Sequence, residues 1–166
     1  MFTDRLKDVR HVMEENEVEA LLLSVGADLP YFTGYEAMPL ERLTMLVLPR
    51  EGQAKLIVPA LEAPRVQEQP EIFSLRPWKE SEDPIEILVE ELGASTSVAV
   101  GDTTWTRFTI ELLNKLPNLR LSRANSITSV IRSKKSPDEV ERLKKAASAV
   151  DRIAARLQSG EIQLIG

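Results

Sequence analysis

Leu43-Thr44-Met45-Leu46-Val47-Leu48-Pro49-Arg50-Glu51-Gly52-Gln53-Ala54-Lys55-Leu56-Ile57-Val58 is the stretch that decides the fold. Two apolar runs, Leu43 to Leu48 and Ala54 to Val58, flank a connection of turn residues, so the two strands should pair antiparallel as a hairpin. Strand-sized and helix-sized patterns alternate on either side of it. Upstream, Thr3 can cap a first helix bearing Leu6, Val9 and Met13 on one face, and Ala20 to Ser24 follows as a short buried strand. Downstream, the pattern predicts a short helix from about Ala60 to Gln67, a strand near Ile72 to Leu75, and a helix opening at Asp83-Pro84 and ending before Gly93. Val98 to Gly101 reads as another buried strand, Thr106 to Leu116 as an amphipathic helix stopped by Pro117, and Leu119 to Leu121 as a short strand before a turn of helix around Ser126 to Ile131. About six strands and five or six helices, alternating around one hairpin, predict an α/β fold with a mixed sheet and helices on both faces.

The last third carries the strongest local signal. In Ile131-Arg132-Ser133-Lys134-Lys135-Ser136-Pro137-Asp138-Glu139-Val140, Ser136 can cap free amides, Pro137 suits the first helical position, and Glu139 completes a capping box. Val140, Leu143, Ala146, Ala147, Val150, Ile153, Ala154 and Leu157 then recur as a single helical stripe. From Pro137 to Ser159 such a rod is roughly 35 Å long. A helix of that length at the edge of a compact unit commonly links it to something else, and Gly160 to Gly166 shows no closing element. The expectation is one domain over residues 1–131 and a connector over residues 132–166, in a chain that reads as cut rather than finished.

Bulk properties bound the function. The 166 residues suit one domain, and 43% hydrophobic content supplies a substantial core. The longest apolar runs are strand-sized, far below the ~20 residues that cross a bilayer, and Met1 to Arg5 contains no apolar signal core, so a cytoplasmic protein away from membranes is expected. Lack of cysteine excludes disulfides, thiolate zinc sites and cysteine nucleophiles. The net charge of −5 argues against nucleic-acid binding, which needs clustered Lys and Arg. Eight basic and four acidic residues between Arg132 and Arg156 give that segment +4 and leave −9 elsewhere, which reads as a solvated helix face rather than a basic surface for an acidic neighbour.

Local chemistry is sparse. His11 is the only histidine, so a two-histidine zinc helix is impossible, and its place beside Val9 and Met13 suits a surface or partly packed role. Asp28, Asp102 and Asp151 have no cage-forming spacing, and Glu90-Glu91 is most simply an exposed helix face. No G-x-S-x-G elbow, P-loop or G-x-G-x-x-G fingerprint occurs; Ser24-Val25-Gly26 resembles only the strand-to-loop ends on which α/β proteins place binding groups. Two segments remain. Ala27 to Tyr35 is aromatic-rich, and reads as a packed short helix capped by Asp28 and ended by Gly34. Met38 to Leu43 is a loop entering a strand, where Arg42 can present a bidentate fork to a carboxylate; from chemistry alone, a salt bridge with Glu41 or a neighbour is the favoured role.

Taken in order, D-L-P-Y-F-T-G-Y at Asp28 to Tyr35, L-I-V-P-A-L-E at Leu56 to Glu62, V-A-V-G-D at Val98 to Asp102 and R-S-K-K-S-P-D-E-V-E-R-L-K-K-A-A at Arg132 to Ala147 resemble the amino-terminal domain of the creatinase/prolidase family. Xaa-Pro dipeptidases and aminopeptidases of the M24B metallopeptidases are its commonest members. The resemblance implies a six-stranded mixed sheet with a ribonuclease H-like motif, and a final helix that leads into a carboxyl-terminal pita-bread domain. That second domain would hold two divalent ions, manganese, cobalt or zinc, on two Asp, one His and two Glu, all beyond Gly166. No catalytic residue, metal ligand or cofactor is therefore expected in this chain, and by itself it should hydrolyse nothing.

The resemblance further implies a homodimer in which this domain overhangs the partner subunit's active site and its proline-containing peptide. Creatinase-like relatives reach the substrate carboxylate with an aromatic and an arginine from the segment matching Leu40 to Leu48. Arg42 matches the arginine, whereas Leu40 stands where the aromatic belongs. A metal-free peptidase-like module that binds other proteins is the alternative. A phosphoacceptor or small-molecule α/β domain built on Asp102 ranks last, since it lacks the accompanying acidic pair and lysine.

Overall fold

The computed structural model describes residues 2–162. Its elements run α1 (Phe2–Glu15), β1 (Ala20–Ser24), α2 (Asp28–Thr33), β2 (Met45–Pro49), β3 (Ala54–Pro59), β4 (Phe73–Trp78), α3 (Pro84–Leu92), β5 (Ser97–Val100), α4 (Thr106–Lys115), β6 (Arg120–Arg123), α5 (Asn125–Ser133) and α6 (Pro137–Gln158). The six strands form one sheet in the order β4-β3-β2-β1-β5-β6. β2 and β3 make the expected antiparallel hairpin, and β1 pairs antiparallel with β2, Leu22 opposite Val47. The β1/β5, β5/β6 and β3/β4 pairs are parallel. The sheet is mixed, as the alternating pattern requires.

Every residue of β1 is buried, because helices cover both faces. The strand's two-residue period splits the core. Leu21 and Leu23 join Val9, Met13, Leu29 and Phe32 on the face covered by α1 and α2, while Ala20 and Leu22 join Ile85, Leu88, Phe108 and Leu112 on the face covered by α3 and α4. The helix that follows β1 therefore packs on one face, and the helix that follows the adjacent parallel strand β5 packs on the other. Strand ends that diverge in this way leave a crevice at the carboxyl edge of an α/β sheet.

Several boundaries differ from the sequence reading. The expected helix from Ala60 to Gln67 is only a 3-10 turn, Ala63–Arg65, because Pro64 lacks an N–H and restrains the residue before it. β4 continues past Leu75 through Pro77 to Trp78; a proline is tolerated there because β4 is an edge strand. Thr3 lies inside α1 rather than at its cap. Asp28 does not cap α2, whose N-cap is Ala27 with no side-chain bond; its Oδ2 instead accepts from Thr128 Oγ1 at 3.1 Å. Gly34 does close α2, in the left-handed conformation at φ 73° that glycine adopts without strain.

The chain separates into two compact units, one up to Ile131 and one from Arg132. In the second, both halves of the capping box of α6 are formed, Ser136 Oγ accepting from the Glu139 amide and Glu139 Oε2 from the Ser136 amide. None of the residues of α6 is buried. Among the described residues no helix is long and apolar enough to cross a membrane. The expectation that nothing closes the chain after Gly160 falls mainly on residues 163–166, outside those described.

Candidate functional site

The crevice at the carboxyl ends of β1 and β5 is built by three loops. Gly101 N donates to Leu22 O at 2.8 Å, which holds the start of the β5–α4 loop against β1, and Thr104 Oγ1 donates to Ser24 Oγ at 3.1 Å. Gly26 is required by this closeness, since a Cβ there would lie 2.4 Å from Thr103 Oγ1. The third loop runs from Tyr35 to Thr44 and enters β2 beside the end of β1, Ser24 opposite Met45.

Between these loops lies a pocket of about 220 Å³. Its apolar lining residues are Val25, Pro39, Leu40, Trp105 and Phe108, and its polar ones are Ser24, Thr44, Thr103 and Arg42. Trp105 is 45% exposed and stacks on Phe108, the ring centroids 6.4 Å apart. Arg107 lies over both rings, 4.5 Å from the centroid of Phe108 and 5.6 Å from that of Trp105, and donates to Glu41 O, so α4 grips the loop that carries Arg42. On the other side of Arg42, the buried Trp78 donates from Nε1 to Leu43 O at 2.9 Å. Arg42 is thus bracketed by two tethered carbonyls.

The guanidinium of Arg42 pairs with Glu80 at 3.0 Å, so the salt-bridge role anticipated from chemistry is filled, by Glu80 rather than Glu41. Exposed pairs of this kind contribute about 0–1 kcal/mol, which leaves the guanidinium open to exchange for another carboxylate. Ser24 and Val25, noted in sequence as a strand-to-loop end, do line the pocket. Trp105 was not singled out in the sequence. It occupies the N-cap of α4 and makes no capping bond, where Ser, Thr, Asp or Asn is the ordinary choice, a departure that only the position of α4 reveals.

The other residues weighed in the sequence do not converge. His11 stands on the exposed side of α1, 3.5 Å from Glu15. Asp102 accepts two bonds from Arg123, at 3.1 and 2.5 Å, and these hold its carboxyl below the usual carboxylate range. Glu90 and Glu91 lie 3.8 and 4.0 Å from Arg76. Among the described residues, no three His, Cys, Asp or Glu side chains gather as metal ligands would. A second, more polar cleft of about 350 Å³ lies beside Tyr35, Glu62 and Arg65; burial pushes the Tyr35 phenol up, and Glu62 and Arg65 pair with each other at 2.8 Å.

Comparison with known proteins gives a consistent picture. Residues 5–134 match the creatinase/prolidase N-terminal domain. The "Probable dipeptidase PepE" of Mycobacterium tuberculosis is 32% identical over 141 residues, covering 82% of this chain and 37% of that protein. The crystal structure of dipeptidase PepE from Mycobacterium ulcerans superposes with a TM-score of 0.84 at 30% identity, over 93% of this chain and 43% of that one. A recombinant prolidase from Thermococcus sibiricus superposes with a TM-score of 0.87 at 25% identity, over 100% of this chain and 46% of the other. The chain spans less than half the length of these relatives.

Proposed function

The chain belongs to the creatinase/prolidase N-terminal domain family, and from that premise we propose that it is the non-catalytic amino-terminal domain of a metal-dependent Xaa-Pro dipeptidase or aminopeptidase, a cytoplasmic homodimeric hydrolase. On this reading residues 1–131 form the domain, and residues 132–166 lead into the pita-bread domain that cleaves the peptide. One observation carries it: residues 5–134 match the amino-terminal domain, while the chain spans only 37% to 46% of the dipeptidases and prolidase it resembles. Two divalent ions, manganese, cobalt or zinc, would activate the attacking water in such a hydrolase. The described residues do not fit them, since the only histidine sits on an exposed helix face beside Glu15 and no acidic cluster converges. The ligands belong to another part of the protein, and no catalytic step passes through this chain.

What this chain contributes is dimer contact and the rim of the partner subunit's active site. Arg42 takes the free carboxylate of a dipeptide substrate there, exchanging Glu80 for it. Support comes from its position on a loop held at both sides by Arg107 and Trp78, and from the bidentate fit of guanidinium to carboxylate. A longer peptide has no carboxylate at that point, so the contact favours dipeptides. In the complete protein, Arg42→Ala should raise KM for Xaa-Pro dipeptides by about 10- to 100-fold, the value of a charge-assisted hydrogen bond. Longer Xaa-Pro peptides should change little. Equal effects on both substrate classes would refute the role of Arg42.

A further inference from the structure

We propose that the exposed apolar face of α6 is a self-pairing surface, on which the α6 of a second copy of this chain lies antiparallel. The proposed function uses α6 as a connector and leaves this face unassigned, and the pairing is independent of the role of Arg42. Val140, Leu143, Ala147, Val150, Ala154 and Leu157 recur at alternating steps of three and four, the 3.5-residue period of a coiled-coil seam rather than the 3.6 of an ordinary helix. None of them is buried, and Leu143 and Val150 are 56% and 65% exposed. From Glu141 to Arg156, only the charges of Lys144 and Asp151 flank the seam; the others lie at positions turned away from it.

Size and charge select both the partner and its direction. Run antiparallel, the seam sets Leu143 on the partner's Ala154, Val150 on the partner's Ala147 and Val140 on the partner's Leu157, each layer repeated by symmetry. Large thus meets small in the inner layers, which is what close packing of two helices requires. Along one edge Lys144 faces the partner's Asp151, and along the other Ala146 faces the partner's Ile153. A parallel pair would instead set Ala147 and Ala154 against their own copies, leaving gaps, and would put Asp151 beside Ala146 and Gln158 beside Ile153. Its one favourable charge contact, Glu139 with the partner's Lys144, competes with the capping box that already holds Glu139. A seam this short makes a small interface, so the dimer should be weak, half-formed at about 10–100 μM.

Sedimentation equilibrium of the 166-residue chain from about 5 to about 500 μM should show monomer and dimer in exchange. Val150→Glu, at a position outside any core, should weaken association at least about tenfold. Lys144→Asp should weaken it about tenfold, and adding Asp151→Lys should restore it, because the double reversal rebuilds both ion pairs. The chain contains no cysteine, so introduced ones report direction cleanly. A mixture of Val140→Cys and Leu157→Cys chains should form a disulfide dimer. Val140→Cys alone should not, since antiparallel copies of residue 140 lie ~25 Å apart. A chain that stays monomeric at about 500 μM, association indifferent to Val150→Glu, a double reversal without rescue, or efficient linking of Val140→Cys to itself would each overturn the pairing. The same two cysteine variants, co-expressed as complete protein, should also cross-link. Failure there means that the rest of the same chain covers the face, and it overturns the assignment while leaving the role of Arg42 standing.

Discussion

Replacing Trp78 by Phe tests whether the loop bearing Arg42 is held from β4. The indole, 7% exposed at the end of the edge strand, donates to the carbonyl of the fully buried Leu43 at 2.9 Å. Phenylalanine preserves most of the apolar contact with Ile57 and Ile85 but removes the only donor that side chain offers. A buried carbonyl left without its partner costs about 1–3 kcal/mol, and the smaller ring forfeits roughly a further 1 kcal/mol of packing. The expected loss is about 2–4 kcal/mol. For a unit of this size each kcal/mol moves Tm by about 3–5 °C, so the midpoint should fall by roughly 6–20 °C. Urea denaturation followed by far-UV circular dichroism should show a lower midpoint at an unchanged slope, the sign of altered stability rather than an altered denatured state. A loss below about 0.5 kcal/mol would refute the tether, because it would mean that the carbonyl is satisfied without the indole.

Two further outcomes follow from local geometry. Glu19 accepts from the Thr96 and Ser97 amides at 2.5 and 3.1 Å, which lowers its pKa from 4.5. A carboxyl depressed by folding stabilises fully above its unfolded pKa and ceases to as pH drops through the folded value. Glu19→Gln should therefore be less stable than the parent at neutral pH, with the difference closing below pH 4.5; a gap that stays constant down to pH 3 would contradict the linkage. Ser136→Ala removes one half of the capping box and should cost about 1 kcal/mol at the start of α6. Faster hydrogen exchange at Glu139 and Val140 would report it, and unchanged exchange would deny the cap any role.

What the sequence disclosed and what it withheld divide along the range of the forces involved. The α3 boundaries were legible because their signals are contiguous: Asp83 accepts from the Ile85 amide, Pro84 follows, and Gly93 adopts φ 56°. The same holds for the α6 capping box and for β1, whose unbroken apolar run matches a strand covered on both faces. Two of the failures involve a partner far along the chain, whereas the helix shortened to Ala63–Arg65 reflects Pro64 within it. Asp28 has the chemistry of a cap, yet Thr128, 100 residues away, engages its carboxylate. Pro77 argues against a strand unless β4 is known to lie at the sheet's edge, a fact set by its pairing with β3 alone.

The candidate site follows the same division. Arg42 was visible as a cation entering a strand, but its setting depends on Glu80, Trp78 and Arg107, which lie 35 residues or more downstream. Trp105 escaped notice because a lone tryptophan before a helix is compatible with the core. Only the pairing of β1 with β5 brings its loop beside Ser24 and Arg42. A pocket assembled from three loops has no signature in any one of them. It becomes readable once the strand order is known, because the order places all three at one end of the sheet, and the helices after β1 and β5 then leave on opposite faces.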